Sequence, residues 1–357
     1  MSFPPRERPL RSAVLHLGER RLATRHGEFE LHLFRDLAEA RVAMVLARGD
    51  VAGASPLLAR VHSSCLTSEG LGGCDCDCAE QLDGALARIA AAGRGVLVYL
   101  MQEGRGAGLS AKARDRMLVQ ASGNRITTFD AYAEMGLPAD LRRYDAVASI
   151  FAMLGVRAPL RLLTNNPDKV AAVARALEGE KIEVAAALPV VGRGSAWNRD
   201  YLRAKQVAGH VLEPGADALG ARPPERVVAF EPVELAADPA RLVTASYFLP
   251  IALAGEVHWL RASVLVDRAS GRESIVLSQG AWQGPGSLPL PDATERVALS
   301  LLDRLPIPAA PGREALARAL CGLVAAGAGR VGVEWDETAA SDSPRAATTA
   351  AKAHGAC

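Results

Sequence analysis

Four cysteines fall within the 14 residues from 65 to 78, and this spacing constrains the fold more than any other feature of the sequence. They are Cys65, Cys74, Cys76 and Cys78. In a reducing compartment, clustered cysteines are typical of metal ligands or a reactive site rather than of disulfides. Thiolates suit zinc, and Cys-x-Cys spacing places two sulfurs on the same side of an extended segment. The sequence therefore predicts a zinc site, with a loop that brings Cys65 to the later cysteines.

The cysteines alone leave the role of the metal open. A catalytic zinc usually has three protein ligands and a bound water, whose pKa falls towards neutrality. A closed site with Cys74 as the fourth ligand would be structural and would have no chemistry. Cys321 and Cys357 lie far along the chain and are not expected to take part.

Length and charge exclude several classes of protein. The 357 residues predict two domains, at roughly 100–200 residues per domain, each able to bury a core. The 41 Lys and Arg residues balance 40 Asp and Glu residues, which argues against binding to nucleic acid through a basic surface. The sequence has neither an apolar run near the ~18 residues of a membrane span nor the apolar stretch of a signal peptide. We therefore expect a cytoplasmic protein without a nucleic-acid or membrane partner.

Composition and pattern divide the chain into five parts. Strand-like and helix-like segments alternate from residue 26 to residue 212, with short strands first, which is typical of a mixed α/β domain. The pattern then changes to that of a smaller α+β domain of unknown role. The predicted parts are an irregular arm (1–25), the α/β domain (26–212), a linker (213–226), the α+β domain (227–337) and a disordered tail (338–357).

Individual elements follow from hydrophobic spacing and from capping residues. Apolar residues from Leu82 to Ile89 recur at helical intervals, and the apolar run 96–101 suits a buried strand. Asn166 and Pro167 are a typical helix start, because asparagine caps free amides and proline fits the first turn. The predicted helices are 78–92, 109–121, 141–154, 293–304 and 313–327, and the predicted strands include 160–164 and a hairpin of 257–267 with 272–278.

Three further segments combine a turn between elements with groups that bind anions. Residues 102–109 (QEGRGAGL) follow a buried strand and precede a helix, so free amides and an arginine can hold an anion there. Asp140 and Arg142 begin a helix, where they could equally be a cap and a solvated cation. Residues 164–169 (TNNPDK) close a strand and open a helix, which is again a position for phosphate.

Several separated motifs occur in this order: ARVHS-x-C, C-D-C eleven residues later, Gln81, QEGR, D-x-R, LGV, LLTNNP-x-K and VGR…YL…K…GH. By these motifs, residues 27–212 resemble the GTP cyclohydrolase II family, which acts first in riboflavin synthesis. It implies zinc-dependent hydrolysis of GTP at C8 of the imidazole ring. Formate and pyrophosphate would be released, leaving a diaminopyrimidine ribosyl phosphate. The resemblance also implies Mg²⁺ with the nucleotide phosphates and a homodimer.

The resemblance also implies roles for single residues. Zinc would be held by Cys65, Cys76 and Cys78, Asp140 would be the proton acceptor, and Arg142 the nucleophile of a nucleotidyl intermediate. Because a guanidinium stays protonated, we describe Arg142 instead as a cation that stabilises charge on the phosphates. The residues implied to contact the nucleotide are Arg60, Val61, His62, Ser63, Ser64, Gln81, Glu103, Gly104, Arg105, Thr128, Thr164 and Lys169.

Three positions around the expected base and metal depart from the family pattern. Ser64 replaces a usual glutamate, Asp75 a usual basic residue and Arg116 a usual tyrosine. One polar group in such a site can change substrate discrimination by several kcal/mol. Three hypotheses therefore stay open. The first is GTP ring opening by an enzyme with an added domain. The second is a relative that opens another nucleotide base, in pyrimidine breakdown or specialised purine-derived metabolism, or that stops at a formylamino product. The third is a non-catalytic, zinc-stabilised nucleotide-binding regulator, which the retained Asp140 and Arg142 disfavour.

Overall fold

The structure is a computed structural model that describes residues 14–212, 220–292, 295–308 and 310–335. Two β-sheets with packed helices organise these residues. The strands of the first sheet are β1 (Val14–Thr24), β2 (Gly27–Asp36), β3 (Arg41–Arg48), β4 (Leu57–Ser63), β5 (Gly95–Leu100), β6 (Leu160–Leu163) and β7 (Val184–Leu188). Those of the second are β8 (Val233–Leu235), β9 (Asp238–Leu253), β10 (Glu256–Asp267), β11 (Glu273–Gln279), β12 (Arg296–Leu299) and β13 (Gly329–Trp335). The helices are α1 (Leu66–Glu69), α2 (Cys78–Ala92), α3 (Leu109–Ala121), α4 (Thr128–Glu134), α5 (Asp145–Met153), α6 (Pro167–Leu177), α7 (Arg199–Val207) and α8 (Pro311–Ala326).

The first sheet is mixed and has the order β1-β2-β3-β5-β4-β6-β7. Its strands pair antiparallel from β1 to β5 and parallel from β5 to β7. Strands β3 and β5 are almost wholly apolar because helices cover both faces of the sheet, α2 on one side and α5 with α6 on the other. The predicted mixed α/β fold is confirmed.

The second sheet has the order β12-β13-β11-β10-β9-β8, in which only the β12–β13 pair is parallel. Helix α8 packs on this sheet together with α3 from the first half of the chain. The predicted α+β class of this half is confirmed, as is the β10–β11 hairpin. Among the described residues, no helix combines the length and the apolar character needed to cross a membrane.

Two segments with a weak sequence pattern have a different secondary structure from the one predicted. Residues 14–24, predicted to be irregular, form β1, an edge strand whose exposed Arg and Glu side chains obscure the pattern. The helix expected at 293–304 is wrong where that segment is described, because Arg296–Leu299 is strand β12 and Leu302–Arg304 is a 3-10 turn. So short an apolar pattern does not distinguish a strand from a helix. The tail 338–357 and residues 213–219 of the linker lie outside the described residues.

Helix α3 lies between the two sheets and is amphipathic. Its apolar residues Leu109, Ala113 and Met117 belong to the core of the second sheet. Lys112 and Arg116, four positions apart, form the neighbouring stripe of the helix and line the cavity beside the cysteines. One helix therefore joins the added domain to the expected site.

The second sheet also holds both ends of α3 by hydrogen bonds. At the start of the helix, Glu273 accepts from the backbone N–H groups of Leu109, at 3.3 Å, and Ser110, at 2.8 Å. Near its end, the Gln120 side chain donates to the carbonyl of Phe248 at 2.7 Å and accepts from its N–H at 2.9 Å. These bonds fix the helix against β9 and β11.

The loop that carries the cysteines pairs with the second sheet as a short strand would. The Cys74 N–H donates to the Pro250 carbonyl at 2.8 Å, and the Ala252 N–H donates to the Gly72 carbonyl at 3.1 Å. Between them, Gly73 forms an antiparallel bridge with β9. A β-carbon on Gly73 would lie 2.6 Å from the carbonyl oxygen of Thr67, so only glycine fits this close approach.

Candidate functional site

The candidate site lies at the carboxyl ends of three parallel strands. Ser64 and Cys65 follow β4, Glu103 lies just beyond β5, and Thr164 follows β6. The carboxyl ends of parallel strands meet at one edge of a sheet, which is where α/β folds bind their ligands. Segments about 100 positions apart in the chain are therefore brought together.

Cys65, Cys76 and Cys78 are at the centre of this site. Their sulfur atoms all lie within 4.8 Å of one another, and the Sγ atoms of Cys65 and Cys76 are 3.6 Å apart. Cys78 is the first residue of α2, and a helix N-terminus favours negative charge. Three converging thiolates match the ligands of a zinc ion that keeps a position for water.

Cys74 lies outside this group. Its thiol lies 3.5 Å from the carbonyl oxygen of Gly72, and burial raises the pKa of that thiol. The geometry therefore favours a three-cysteine site over the closed four-cysteine alternative.

Lys112 and Glu103 hold Cys65 in place. The Lys112 ammonium donates to the Cys65 Sγ at 3.0 Å and to Glu103 Oε1 at 2.9 Å. Glu103 Oε2 accepts from the backbone N–H of Leu66 at 2.6 Å. Burial alone would lower the pKa of Lys112, but the charges of Cys65 and Glu103 outweigh it and raise that pKa. Lys112 therefore remains a cation beside the Cys65 sulfur.

Glu69 supports the loop from the buried side. Its carboxylate accepts from Nε2 of His62 at 2.7 Å, from the N–H of Cys65 at 3.1 Å and from the hydroxyl of Tyr99 at 2.5 Å. Burial lowers the pKa of His62 to about 4, so its ring is neutral at pH 7. The neutral ring can donate to Glu69 and accept at Nδ1 from Arg60, 3.2 Å away.

A cleft next to the cysteines, here called the anion cleft, has an empty volume of about 840 Å³, part of it open to solvent. The N-terminus of α6, capped by Asn166, contributes to its lining. Its ionisable basic residues are Arg60, His62, Arg105, Arg142, Lys169, Lys205 and His210, and its carboxylates are Asp140 and Asp168. Clustered cations and free helix amides are suited to a polyanion such as a triphosphate.

A chain of polar contacts orients two of the cations. Arg60 donates to the carbonyl of Leu163 at 2.7 Å and to Gln81 Oε1 at 2.8 Å. Gln81 Nε2 and Lys205 Nζ each donate to the buried Asp77, both at 2.6 Å. Burial lowers the pKa of Arg60 to about 10, which still leaves it charged at neutral pH.

Asp140 and Arg142 form an ion pair at the edge of the anion cleft. Both carboxylate oxygens of Asp140 accept from the guanidinium, and Oδ1 also accepts from the backbone N–H of Arg142 at 3.0 Å. Burial alone would raise the pKa of Asp140, but the hydrogen bonds and charge of Arg142 outweigh it and lower that pKa. While this pair persists, Asp140 is a weak base.

Burial and the neighbouring cations of the anion cleft lower the pKa of both Lys169 and His210. Lys169 donates to the carbonyl of Val61 at 3.1 Å, and burial together with Arg142 and Arg60 lowers its pKa. Burial and nearby cations lower the pKa of His210 to about 4. A bound polyanion would offset the cations and raise both pKa values.

A smaller space, here called the metal-side cavity, opens beside the cysteines and has an empty volume of about 490 Å³. It continues into the anion cleft, because Ser63, Cys78, Arg105, Arg142 and Tyr201 line both. Residues that line the metal-side cavity also include Ser64, Cys65, Glu103, Gly104, Lys112, Asp115, Arg116 and Thr128.

Two of the three departures from the family pattern form one ion pair. Arg116 Nε lies 3.0 Å from Asp75 Oδ2, and the two side chains are only 10% and 13% exposed. The Arg116 guanidinium also lies over the Tyr201 ring, 4.6 Å from its centroid. The negative charge of Asp75 thus balances the positive charge of Arg116. Ser64 is buried, and its hydroxyl has no hydrogen-bond partner within the part of the chain that the structure describes.

Most of the predicted nucleotide contacts line one of the two spaces. Val61 is the exception, because its side chain lies in the core of the first sheet. The anion cleft takes Arg60, His62, Ser63, Gln81, Arg105, Thr164 and Lys169, and the metal-side cavity takes Ser64, Glu103, Gly104 and Thr128.

Several residues of the site were not predicted from the sequence. Tyr201, Lys205 and His210 lie in the segment YL…K…GH, so their positions were marked but their contacts were not. Glu69 and Asp77 had no signal, because an isolated carboxylate acquires its role only when folding buries it beside a partner.

The fold and the site define an α/β enzyme with a cysteine centre beside an anion-binding cleft. The sequence model of the family described as GTP cyclohydrolase II matches residues 16–189. The chain is 42% identical over 201 residues to GTP cyclohydrolase-2 of Pseudomonas aeruginosa, which covers 56% of this chain and 94% of that protein. It therefore belongs to the GTP cyclohydrolase II family of hydrolases, as its motifs predicted.

Other matches concern only parts of longer or more distant proteins. The chain is 41% identical over 198 residues to the riboflavin biosynthesis protein RibBA of Rhodococcus erythropolis, covering 54% of this chain and 45% of that protein. Among solved structures, RibBX, a two-domain 3,4-dihydroxy-2-butanone 4-phosphate synthase from A. baumannii, covers 50% of this chain and 40% of its own at 17% identity. Its TM-score of 0.28 is too low to bear on the fold described above.

Proposed function

We propose that this chain hydrolyses GTP at C8 of guanine, opens the imidazole ring and releases formate and pyrophosphate. The remaining product would be a diaminopyrimidine ribosyl phosphate. The observation that carries this proposal is the convergence of Cys65, Cys76 and Cys78 beside a cleft lined with cations. The choice of GTP rests on the family and on the relative named GTP cyclohydrolase-2.

Zinc held by these three cysteines would supply a water whose pKa lies near neutrality. Neighbouring residues hold the cysteine that would bind the metal and its water. Lys112 balances the charge of Cys65, and Glu69 fixes the backbone N–H of the same cysteine. The metal-side cavity would hold the base next to Cys65 and Cys78, which line it.

We propose that the triphosphate occupies the anion cleft. The N-terminus of α6 offers free amides there, and Arg142, Lys169 and Lys205 offer positive charge. The expected Mg²⁺ would accompany the phosphates, with Asp168 as a carboxylate within the same cleft. The expected homodimer and cytoplasmic location stay predictions.

In this arrangement Arg142 binds the phosphates first, and Asp140 then acts as a base. Arg142 is a permanent cation that stabilises charge on the phosphates. When a phosphate draws the guanidinium away, Asp140 loses the partner that lowers its pKa and becomes a stronger base. This exchange supports the proposed role of Asp140 as proton acceptor.

The ion pair of Asp75 with Arg116 favours one alternative function. It places a guanidinium at the wall of the metal-side cavity, where a different base or a retained formyl group would be distinguished. The alternative is therefore ring opening of another nucleotide, or hydrolysis that stops at a formylamino product.

One assay separates these functions. Zinc-loaded protein is incubated with GTP, and with nucleotides of uracil, xanthine and adenine, while formate and pyrophosphate are measured. Release of both from GTP is the expected result. Turnover of another base alone, or ring opening without formate, would establish the alternative, whereas no turnover of any nucleotide would overturn both.

A further inference from the structure

Among the described residues, two carboxyl groups line the metal-side cavity, those of Glu103 and Asp115. Asp140 lines only the anion cleft, where Arg142 occupies both of its oxygens. Within the described residues, a carboxyl group that transfers a proton beside the cysteines must therefore be that of Glu103 or Asp115.

Glu103 has no oxygen to spare. Its Oε1 accepts from Lys112 at 2.9 Å and lies 3.4 Å from the backbone N–H of Gly104, and its Oε2 accepts from the backbone N–H of Leu66 at 2.6 Å. It serves as an acceptor that holds the loop and the lysine in place.

Asp115 differs because only one of its two carboxyl oxygens accepts a hydrogen bond from the described residues. Its Oδ2 accepts from the Thr128 hydroxyl at 2.7 Å, whereas its Oδ1 has no hydrogen-bond partner within the described residues. The residue is 4% exposed. It lies one position before Arg116, on the cavity-facing side of α3.

Four titratable groups from different parts of the chain interact with Asp115. They are Arg116 on α3, Arg105 in the loop after β5, Asp75 in the cysteine loop and the phenol of Tyr132 on α4. Burial raises the pKa of Asp115, and the two arginines and the Thr128 hydroxyl only partly offset it. A buried carboxyl of this kind can hold a proton that an exposed aspartate would lose.

We propose that Asp115 is a proton-transferring catalytic residue of the ring-opening step, which rests on the proposed function above. Water adds to C8 of the base, and the electron pair of the C8=N7 double bond moves to N7, which takes a proton of that water. The C8–N9 bond then breaks as the C8 hydroxyl becomes a formyl carbonyl. The electron pair of the broken bond goes to N9, which takes the proton of the Asp115 carboxyl.

The hydroxyl proton passes to the Asp115 carboxylate and restores the acid. One water is consumed, and nothing is oxidised or reduced. The donor must be protonated, so the rate falls as the pH rises through the pKa of Asp115.

The test is the pH dependence of kcat and KM for GTP ring opening in the wild type and in Asp115→Asn. We expect kcat to fall by about 100-fold or more, with KM little changed, and the alkaline decline of the wild type to disappear. Asp130→Asn is the matched control, since this exposed carboxylate on α4 lies outside the cavity and should leave kcat unchanged. A loss of less than about tenfold, or an alkaline decline that persists, would overturn the proposal.

Zinc content and the thermal midpoint establish whether Asp115→Asn is folded. If it is not, Asp115→Glu decides the matter, because it keeps a carboxyl in a changed position. An alkaline decline that moves to another pH supports the proposal, and one that stays in place overturns it. A wild type without ring-opening activity would instead overturn the proposed function, and this inference with it.

Discussion

Cys74 and Cys76 lie two positions apart in the sequence but in different surroundings. The Cys76 sulfur belongs to the cluster with Cys65 and Cys78, whereas the Cys74 thiol faces a carbonyl. We expect Cys76→Ser to weaken zinc binding by more than about tenfold and to abolish ring opening, because a hydroxyl is a poor zinc ligand. Cys74→Ser is the matched control and should keep both properties. Zinc content and chelator competition check this prediction, and equal zinc loss in both variants would contradict the three-cysteine site.

His210 makes binding in the anion cleft depend on pH. Its pKa of about 4 means that the ring is neutral in the free protein above that pH. A bound polyanion offsets the neighbouring cations and raises this pKa towards the ordinary value of about 6.5, so binding takes up protons. Affinity for inorganic pyrophosphate should therefore increase as the pH falls through this interval.

Calorimetric titration in buffers with different ionisation enthalpies measures the proton uptake directly. The His210→Gln variant should lose this uptake while it still binds pyrophosphate. A wild type whose proton uptake near pH 6 equals that of the His210→Gln variant would refute the assigned electrostatics, because the ionisation of pyrophosphate is common to both titrations.

At the scale of single residues, the sequence predicts the site residues that belong to a recognisable local motif. The spacing of the four clustered cysteines predicts a shared metal ion, and the family resemblance selects Cys65, Cys76 and Cys78 as its ligands. Asp115 and Glu69 could not be predicted, since neither stands in a recognisable pattern. Their importance comes from burial beside partners that other elements supply.

At the scale of single elements, α3 is the part of the first domain most dependent on the second. Gln120→Ala removes both side-chain hydrogen bonds to the Phe248 backbone. We expect the free energy of unfolding to fall by about 1–3 kcal/mol, because a partly buried N–H and C=O lose their partners. Amide exchange in α3 should become faster.

Gln206→Ala on the exposed side of α7 is the matched control and should leave both quantities unchanged. Chemical denaturation and hydrogen exchange measure the two effects. If Gln120→Ala is as stable as the control, the hydrogen bonds between α3 and β9 do not hold the helix.

Periodicity explains which elements were predictable. The helices at 78–92 and 109–121 have a sustained stripe, and the structure has them as Cys78–Ala92 and Leu109–Ala121. The helix expected at 141–154 starts only at Asp145, because the residues before it form the Asp140–Arg142 turn. Strand β12 is four residues long and pairs with β13, a partner that no local pattern can reveal.

For the whole molecule, the apolar core of the second sheet also contains side chains from the first half of the chain. Leu66, Leu71, Leu109 and Met117 of the first half pack with residues of the second sheet and α8. A chain that ends at Leu212 would expose these side chains to water, at a cost of about 25 cal/mol for each Å² of apolar surface.

We therefore expect the truncated protein to bind a hydrophobic dye, to associate and to have a lower thermal midpoint than the full chain. Size-exclusion chromatography and dye fluorescence check this. A truncated chain with the same oligomeric state and thermal midpoint as the full chain would show that the second domain contributes nothing to the stability of the first.

The pairing of Gly73 and Cys74 with β9 has a thermodynamic consequence. The strand that must separate when the second domain unfolds is the same strand that holds the cysteine loop. Any ligand that binds only the ordered loop thereby stabilises the second sheet, and any ligand of the ordered sheet strengthens the affinity of the loop. Occupancy of the cysteine loop and folding of the second sheet are thus reciprocally linked.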